Sequence, residues 1–152
     1  MNRREFIAML AGSGVSWAFV AHGQQAEPMR IGMLQALASN DPDVHLRLST
    51  FQRRLQELGW ADGHNVRTDY RWAAGDISRM RTQAAELVSL RPDVIVGAST
   101  PVVMALRAET STIPILFVQV IDPVAAGFVS SLARPGGNVS GITSFEFSMG
   151  GK

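Results

Sequence analysis

Apolar segments of two different periods alternate along the sequence, and this alternation restricts the fold more than any other feature. Between the short runs, apolar residues recur at intervals of three and four, which is the period of an amphipathic helix. The runs typical of strands begin near Met29, Asn65, Asp93, Ile113 and Val139. Regular alternation predicts an α/β fold with a doubly wound, parallel, five-stranded sheet in the order 2-1-3-4-5.

Punctuating residues predict where the helices begin and end. Gly59 lies where the first helix should stop, and Asp76 is placed to cap the second. Arg91–Pro92 should end that second helix, because proline disfavours a helical conformation in the residue before it. Ser99–Pro101 combines two capping hydroxyls with a proline suited to a first turn. A fourth, short helix is expected over Asp122–Leu132.

Residues 1–23 have the composition of a signal peptide. Arg3 and Arg4 precede a mostly apolar run, residues 6–20, which would be about 22 Å long as a helix and too short for a hydrocarbon core of roughly 30 Å. Residues 21–23 offer a cleavage site. The paired arginines favour a twin-arginine signal over an ordinary Sec signal, and a buried N-terminal helix is the other alternative. We therefore expect a periplasmic protein without stable membrane insertion after cleavage.

Charge and cysteine content exclude several classes of function. The sequence has 14 basic and 13 acidic residues, and without residues 1–23, which contain two arginines and one glutamate, 12 of each are left. This balance provides no basic surface for nucleic acid. The sequence contains no cysteine, which excludes disulfides, thiolate metal ligands and a lipid-anchored N-terminal cysteine.

Patterns that bind cofactors or catalyse reactions are not evident. The loop after the first strand has no glycine, whereas a dinucleotide-binding site needs glycines there, and no Walker A sequence occurs. Residues 97–101 approach a nucleophile elbow, but a hydrolase of that fold needs a histidine after Ser99, and all three histidines precede it. The third strand ends without the aspartate of a receiver domain. We predict no catalytic residue, no metal ligand and no cofactor, with a flavodoxin-like cofactor domain as a weaker alternative.

Polar residues that follow the predicted strands are the candidate ligand contacts. In parallel α/β sheets the site lies beyond the carboxyl ends of the strands. Hydroxyls at a helix start suit an anion, a carboxylate after the fourth strand suits an ammonium group, and an indole offers a stacking surface. Each of these side chains has an ordinary structural alternative, namely capping, core packing or loop hydrogen bonding. The predicted ligand-binding residues are Gln35, Ser39, Trp72, Ser99, Thr100 and Asp122.

Several stretches together resemble one family of proteins. They are residues 3–6, 51–63, 65–75, 92–100, 113–122 and 131–141, which cover nearly the whole chain. In combination they are similar to ABC-type periplasmic substrate-binding proteins related to the type I periplasmic binding proteins. The resemblance implies two α/β lobes around a hinged cleft, an ABC permease of the inner membrane as partner and a small-molecule solute as ligand. Members of this family bind amino acids, including aromatic ones, and the resemblance supports Ser99, Thr100 and Asp122 as cleft residues.

The sequence departs from that family in length. The resemblance implies an N-terminal lobe over residues 24–145 and a crossover that begins at residues 146–152, whereas family members are about twice as long. A single lobe cannot close on a ligand, so weak binding or none is expected of it. The function predicted is solute capture for an ABC importer. A lobe that no longer binds, or an exported ligand-sensing domain, is the alternative.

Overall fold

The computed structural model describes residues 27–143, and its elements follow the predicted alternation. The strands are β1 (Met29–Gln35), β2 (Val66–Trp72), β3 (Val94–Ala98), β4 (Ile115–Val118) and β5 (Val139–Gly141). The helices are α1 (Pro42–Glu57), α2 (Ile77–Ser89) and α3 (Thr100–Glu109). Every strand pairing is parallel and the order is β2-β1-β3-β4-β5, which confirms the predicted fold class. The predicted signal peptide and the predicted crossover lie outside the described residues.

The helices lie on both faces of the sheet and bury different sets of strand residues. On one face α2 and α3 cover Leu34, Ile95 and Phe117, which are fully or almost fully buried. On the other face α1 packs against a smaller cluster that includes Met33 and Val96. Since side chains alternate along a strand, β1 and β3 contribute to both clusters and read as continuous apolar runs.

The predicted helix boundaries depend on local hydrogen bonds that the structure shows. The Asp76 carboxylate accepts a hydrogen bond from Arg79 N at 2.9 Å and caps α2, as expected. At the end of α1, Gly59 takes a φ of +88° and Trp60 N donates to Leu55 O at 2.8 Å. This is a Schellman arrangement, in which glycine takes the left-handed conformation at no steric cost.

The short helix predicted over Asp122–Leu132 is wrong. The chain forms a single turn there, in which Phe128 N donates to Pro123 O and Gly127 N donates to Val124 O, both at 2.9 Å. Gly127 has a φ of +70°, so the same Schellman arrangement that ends α1 closes this turn before a second one can form. The Asp122–Pro123 pair favoured the start of a helix, and the glycine ended it after one turn.

Strands β4 and β5 are shorter than their apolar patterns predicted. The fourth strand was expected over residues 113–120 and ends at Val118, because Gln119 turns the chain with a φ of +58°. The fifth was expected over residues 139–143 and ends at Gly141. The β2 strand lies at the edge of the sheet, as its alternation of polar and apolar residues indicated.

An ion pair joins the two strands at that edge. The Arg30 guanidinium donates from Nε to Asp69 Oδ2 at 2.7 Å, and its Nη1 donates to Leu90 O at 3.2 Å. The hydrogen bond from Arg30 is the main cause that holds the pKa of Asp69 below its usual value, and partial burial opposes it. Arg30 thereby ties β1 to β2 and to the end of α2.

Candidate functional site

The parallel strands end nearly level with one another at one edge of the sheet. Gln35 at the end of β1 is in register with Trp72 on β2 and with Ala98 on β3, and Ala98 is in register with Val118 on β4. We call this row, with the loops that follow it, the carboxyl edge. Because ligands of open α/β sheets bind beyond this edge, it is the candidate site.

Ser99 occupies the carboxyl edge between β3 and α3 in a backbone conformation that is nearly restricted to glycine. Its φ is +95° and its ψ is +156°. Two backbone hydrogen bonds hold it there, since Ser99 N donates to Val118 O at 3.1 Å and Ser99 O accepts from Val103 N at 3.2 Å. The surrounding structure therefore imposes the strain.

The Ser99 hydroxyl does not cap α3, which corrects the prediction. No side-chain hydrogen bond caps this helix, and Ser99 Oγ is buried without a hydrogen-bond partner among residues 27–143. A buried hydroxyl without a partner costs about 1–3 kcal/mol. Strain and an unsatisfied hydroxyl in one residue are typical of a functional position.

The start of α3 adds backbone donors to this hydroxyl. Thr100 is the first helical residue and is half-buried, and Pro101 follows it without an N–H group. The N–H groups in the first turn of a helix have no partners within the helix and carry a partial positive charge. Ser99 and Thr100 therefore provide two hydroxyls beside the positive end of a helix, which is an arrangement suited to a carboxylate.

Trp72 lies at the outer end of the same row. It is half-buried, and its ring stacks on that of Tyr70 with centroids 6.1 Å apart and an interplanar angle of 9°. Tyr70 is in turn fixed by α1, because Gln52 Nε2 donates to its hydroxyl at 3.0 Å. The sequence predicted a role for Trp72 and gave no indication of this support.

Gln35 and Ser39 belong to the loop between β1 and α1. Gln35 is half-buried, and its carbonyl accepts a hydrogen bond from Ala73 N at 2.9 Å, which joins this loop to the one after β2. Ser39 is exposed in a turn closed by Asp41 N donating to Ala38 O at 3.2 Å. Gln35 is therefore placed on the carboxyl edge by strand register, whereas Ser39 is placed there by its loop alone.

Asp122 follows β4 and is exposed. Its Oδ1 accepts from Ala125 N at 2.9 Å, so the side chain caps the turn that replaces the predicted helix. Within residues 27–143, no hydrogen bond joins Asp122 or Ser39 to the other four predicted residues. Strand register thus brings together Gln35, Trp72 and the Ser99–Thr100 pair, and it leaves the remaining two on neighbouring loops.

Gln119 and Arg47 are edge residues that the sequence analysis missed. Arg47 Nη1 on α1 donates to Gln119 Oε1 at 3.1 Å, beside the positive φ of Gln119. This bond links the helix on one face to the end of β4. A polar residue inside the apolar run of residues 115–120 was the signal that could have drawn attention to it.

An apolar groove adjoins the carboxyl edge on the face that α1 covers. It has a volume of about 410 Å³. Leu116 and Ile142 are 36% and 69% exposed, and both line the groove. In the described part of the chain, α1 is the helix that packs on this face, and its cluster contains residues of β1, β2 and β3 and, from β4, Val118. Within residues 27–143, Leu116 on β4 and Ile142 after β5 are therefore left exposed on that side.

Comparison with known proteins agrees with this architecture. Residues 31–148 match the family described as ABC transporter substrate binding protein. The chain belongs to this family. None of the helices in residues 27–143 is long and apolar enough to cross a membrane.

Relatives of this substrate-binding chain include proteins of several bacteria. A tyrosine-binding protein of Clostridioides difficile is 40% identical over 104 residues, which are 68% of this chain and 30% of that protein. A Streptococcus structure solved in complex with L-Trp is 33% identical with a TM-score of 0.69, and a conserved domain protein of Vibrio cholerae is 32% identical with a TM-score of 0.73. These two matches cover 76% and 80% of this chain, and 38% and 40% of the solved chains. The chain thus spans less than half the length of the relatives it matches.

Proposed function

We propose that the chain forms the capture lobe of a periplasmic solute-binding protein that serves an ABC importer, and that its solute is an amino acid. The observation that carries the proposal is the buried Ser99 hydroxyl without a partner, held in a strained conformation at the start of α3. A ligand carboxylate that accepts a hydrogen bond from this hydroxyl would supply the missing partner. The proposal includes no catalytic step, since the family is a binding family.

The two charges of an amino acid match the two sides of the site. The carboxylate is stabilised by the Ser99 and Thr100 hydroxyls and by the positive end of α3. The ammonium group is placed toward Asp122, of which only Oδ1 is engaged by a backbone amide within residues 27–143. Gln35 and Ser39 border the site on the β1 side and contribute hydrogen bonds to the polar end of the ligand. A zwitterion therefore brings an opposite charge to each side of the site, which a neutral sugar does not.

The names of the relatives support the same ligand class. One is called a tyrosine-binding protein, and another was solved with L-Trp. Each matches this chain over about three tenths to four tenths of its own length, so most of each relative lies outside the matched region. A lobe with one wall buries about half of a ligand, and we expect its affinity to be correspondingly weak.

Titration of the chain with L-phenylalanine, followed by NMR of isotope-labelled protein, tests the proposal. We expect saturable shifts of residues 98–102 and 119–125, with a dissociation constant in the millimolar range, on the order of 1 mM or above. Ser99→Ala should weaken binding about tenfold, because it removes a charge-assisted hydrogen bond. Ser78→Ala, on the exposed side of α2, is the matched control and should leave binding unchanged.

The outcomes separate the proposal from its alternatives. Saturable shifts that Ser99→Ala leaves untouched would mean that the ligand lies elsewhere on the lobe. The absence of saturable shifts with any amino acid would contradict capture and favour a lobe that no longer binds. Micromolar affinity would instead contradict the argument that one wall is insufficient.

Export of the chain to the periplasm is also part of the proposal. Residues 1–23, predicted as a twin-arginine-like signal peptide, lie outside the described residues, and so do residues 146–152, predicted as the start of a crossover. N-terminal sequencing of the protein recovered from the periplasm would show whether it begins near Gln24. Full-length protein retained in the cytoplasm would contradict the predicted signal.

A further inference from the structure

We infer that Tyr70 is a positioning residue, which fixes the indole of Trp72 so that its outer face selects ligands with a planar side chain. This inference rests on the proposed function and deepens it. Two observations carry it: the near-parallel stack of Tyr70 and Trp72, and the hydrogen bond from Gln52 that holds the Tyr70 hydroxyl.

The direction of the stack follows from strand geometry. Tyr70 and Trp72 are two residues apart on β2, so their side chains leave the same face of the sheet. Two residues advance a strand by about 6.6–6.8 Å, close to the 6.1 Å between the ring centroids. The rings are therefore arranged one behind the other along the strand. Since Tyr70 lies on the amino side, the opposite face of the Trp72 ring looks toward the carboxyl edge.

Tyr70 is itself held from two directions. Its ring packs against the cluster that contains Ile31, Met33 and Val66, under the middle of α1. Its hydroxyl accepts the hydrogen bond from Gln52 Nε2 at 3.0 Å, which sets the height of the ring relative to that helix. A half-buried indole without such a neighbour would be free to rotate about its χ angles. Because Tyr70 already orders the indole, ligand binding to the exposed face of Trp72 does not cost side-chain entropy of that ring.

The position of Trp72 relative to the polar groups fits a ligand with two ends. Trp72 and Ala98 both pair with Gln35, so two strand spacings of about 4.8 Å each separate Trp72 from the residue that precedes Ser99. An amino acid whose carboxylate meets the Ser99 hydroxyl can therefore extend an aromatic side chain across β1 to the indole. The side chain of alanine is too short to extend across β1, and that of leucine offers no planar face to stack.

Intrinsic fluorescence offers a direct measurement, because the sequence has three tryptophans. Trp17→Phe and Trp60→Phe leave Trp72 as the single emitter in the full chain. L-phenylalanine and L-leucine, which do not absorb at the excitation wavelength, are the two probes. We expect both to change the Trp72 emission saturably. L-phenylalanine should bind about three- to tenfold more tightly than L-leucine, because stacking of an aromatic pair adds to the binding free energy.

Substitutions at Tyr70 distinguish positioning from a structural role. Tyr70→Leu should reduce the preference for L-phenylalanine to less than twofold while it leaves the dissociation constant of L-leucine within about twofold. Tyr70→Phe, which keeps the ring and loses the Gln52 hydrogen bond, should reduce the preference by a smaller factor. Phe51→Leu is the matched control, since Phe51 packs on the same apolar cluster and is not a member of the stacked pair, and it should preserve the preference.

Each possible result supports or contradicts the positioning role of Tyr70. A preference that survives Tyr70→Leu, or a substitution that weakens both probes equally, would overturn the inference and leave amino-acid capture standing. Binding of L-phenylalanine without any change in Trp72 emission would do the same. If neither probe binds saturably, the proposed function fails and the inference fails with it.

Discussion

Replacing Ser99 by glycine should make the protein more stable, although it removes a residue of the candidate site. At φ +95° and ψ +156° a residue other than glycine carries strain of order 1–3 kcal/mol. The buried hydroxyl without a partner costs about 1–3 kcal/mol more. Glycine removes both costs and adds about 0.5–1 kcal/mol of entropy lost on folding. We expect a net gain of about 1–5 kcal/mol.

Ser99→Ala separates the two contributions. It removes the hydroxyl and keeps the β-carbon, so the strain persists and the gain should be limited to about 1–3 kcal/mol. Arg91→Gly is a control for backbone conformation alone, because Arg91 is exposed and has a φ of +50°. Relief of about 1 kcal/mol there is offset by the entropy of glycine, and we expect almost no net change.

Urea unfolding followed by circular dichroism measures these differences. For a slope of about 2 kcal/mol/M, a gain of 1 kcal/mol raises the midpoint by about 0.5 M. A Ser99→Gly variant that unfolds at the same urea concentration as the natural chain, or earlier, would refute the assignment of strain to this residue. A destabilised Ser99→Ala variant would instead show that the hydroxyl has a partner in the folded protein.

Two further predictions concern the opposite ends of the sheet. Gly141→Ala should cost about 3 kcal/mol or more of folding free energy, because the new β-carbon would lie 2.2 Å from Phe117 O. Differential scanning calorimetry should show a matching loss of Tm. Gly137→Ala is the control and should not lower Tm, because a β-carbon there would meet no neighbouring atom. Arg30 lowers the pKa of Asp69, so this pair stabilises the fold above the unfolded pKa of about 4, and the contribution is lost as pH falls through the lowered value. Asp69→Asn should therefore be less stable than the natural chain at pH 7 and approach its stability below pH 4. A stability difference independent of pH would contradict this.

The order of elements was predictable because each boundary has a local cause. Gly59 and Asp76 act through hydrogen bonds within a few residues of themselves, which is a range that sequence patterns capture. The strand order was the one common to doubly wound sheets of five parallel strands, joined by right-handed crossovers. The predicted row of Gln35, Trp72 and Ser99 at one edge followed in turn, because parallel strands bring their ends together.

The details of the site were not predictable, since they arise from contacts distant in sequence. The conformation of Ser99 is imposed by Val118 on the neighbouring strand, and its motif favoured ordinary capping. The support of Trp72 by Tyr70 depends on Gln52, which belongs to another element. The expected helix after Asp122 was wrong for the opposite reason, because one local signal, Gly127, was given less weight than another, the Asp122–Pro123 start.

The partial cover of β4 and β5 on the α1 face has a consequence for where the protein opens first. β1 and β3 have a helix on each face, whereas in residues 27–143 the α1 face of β4 and β5 is covered at Val118 and exposed at Leu116 and Ile142. Backbone amides at the β5 side are thus protected by fewer apolar contacts, and local opening should begin there before the rest of the sheet responds. Amide hydrogen exchange should therefore differ between the two ends of the candidate site. We expect the segment of Trp72 to exchange slowly and that of Asp122 to exchange first.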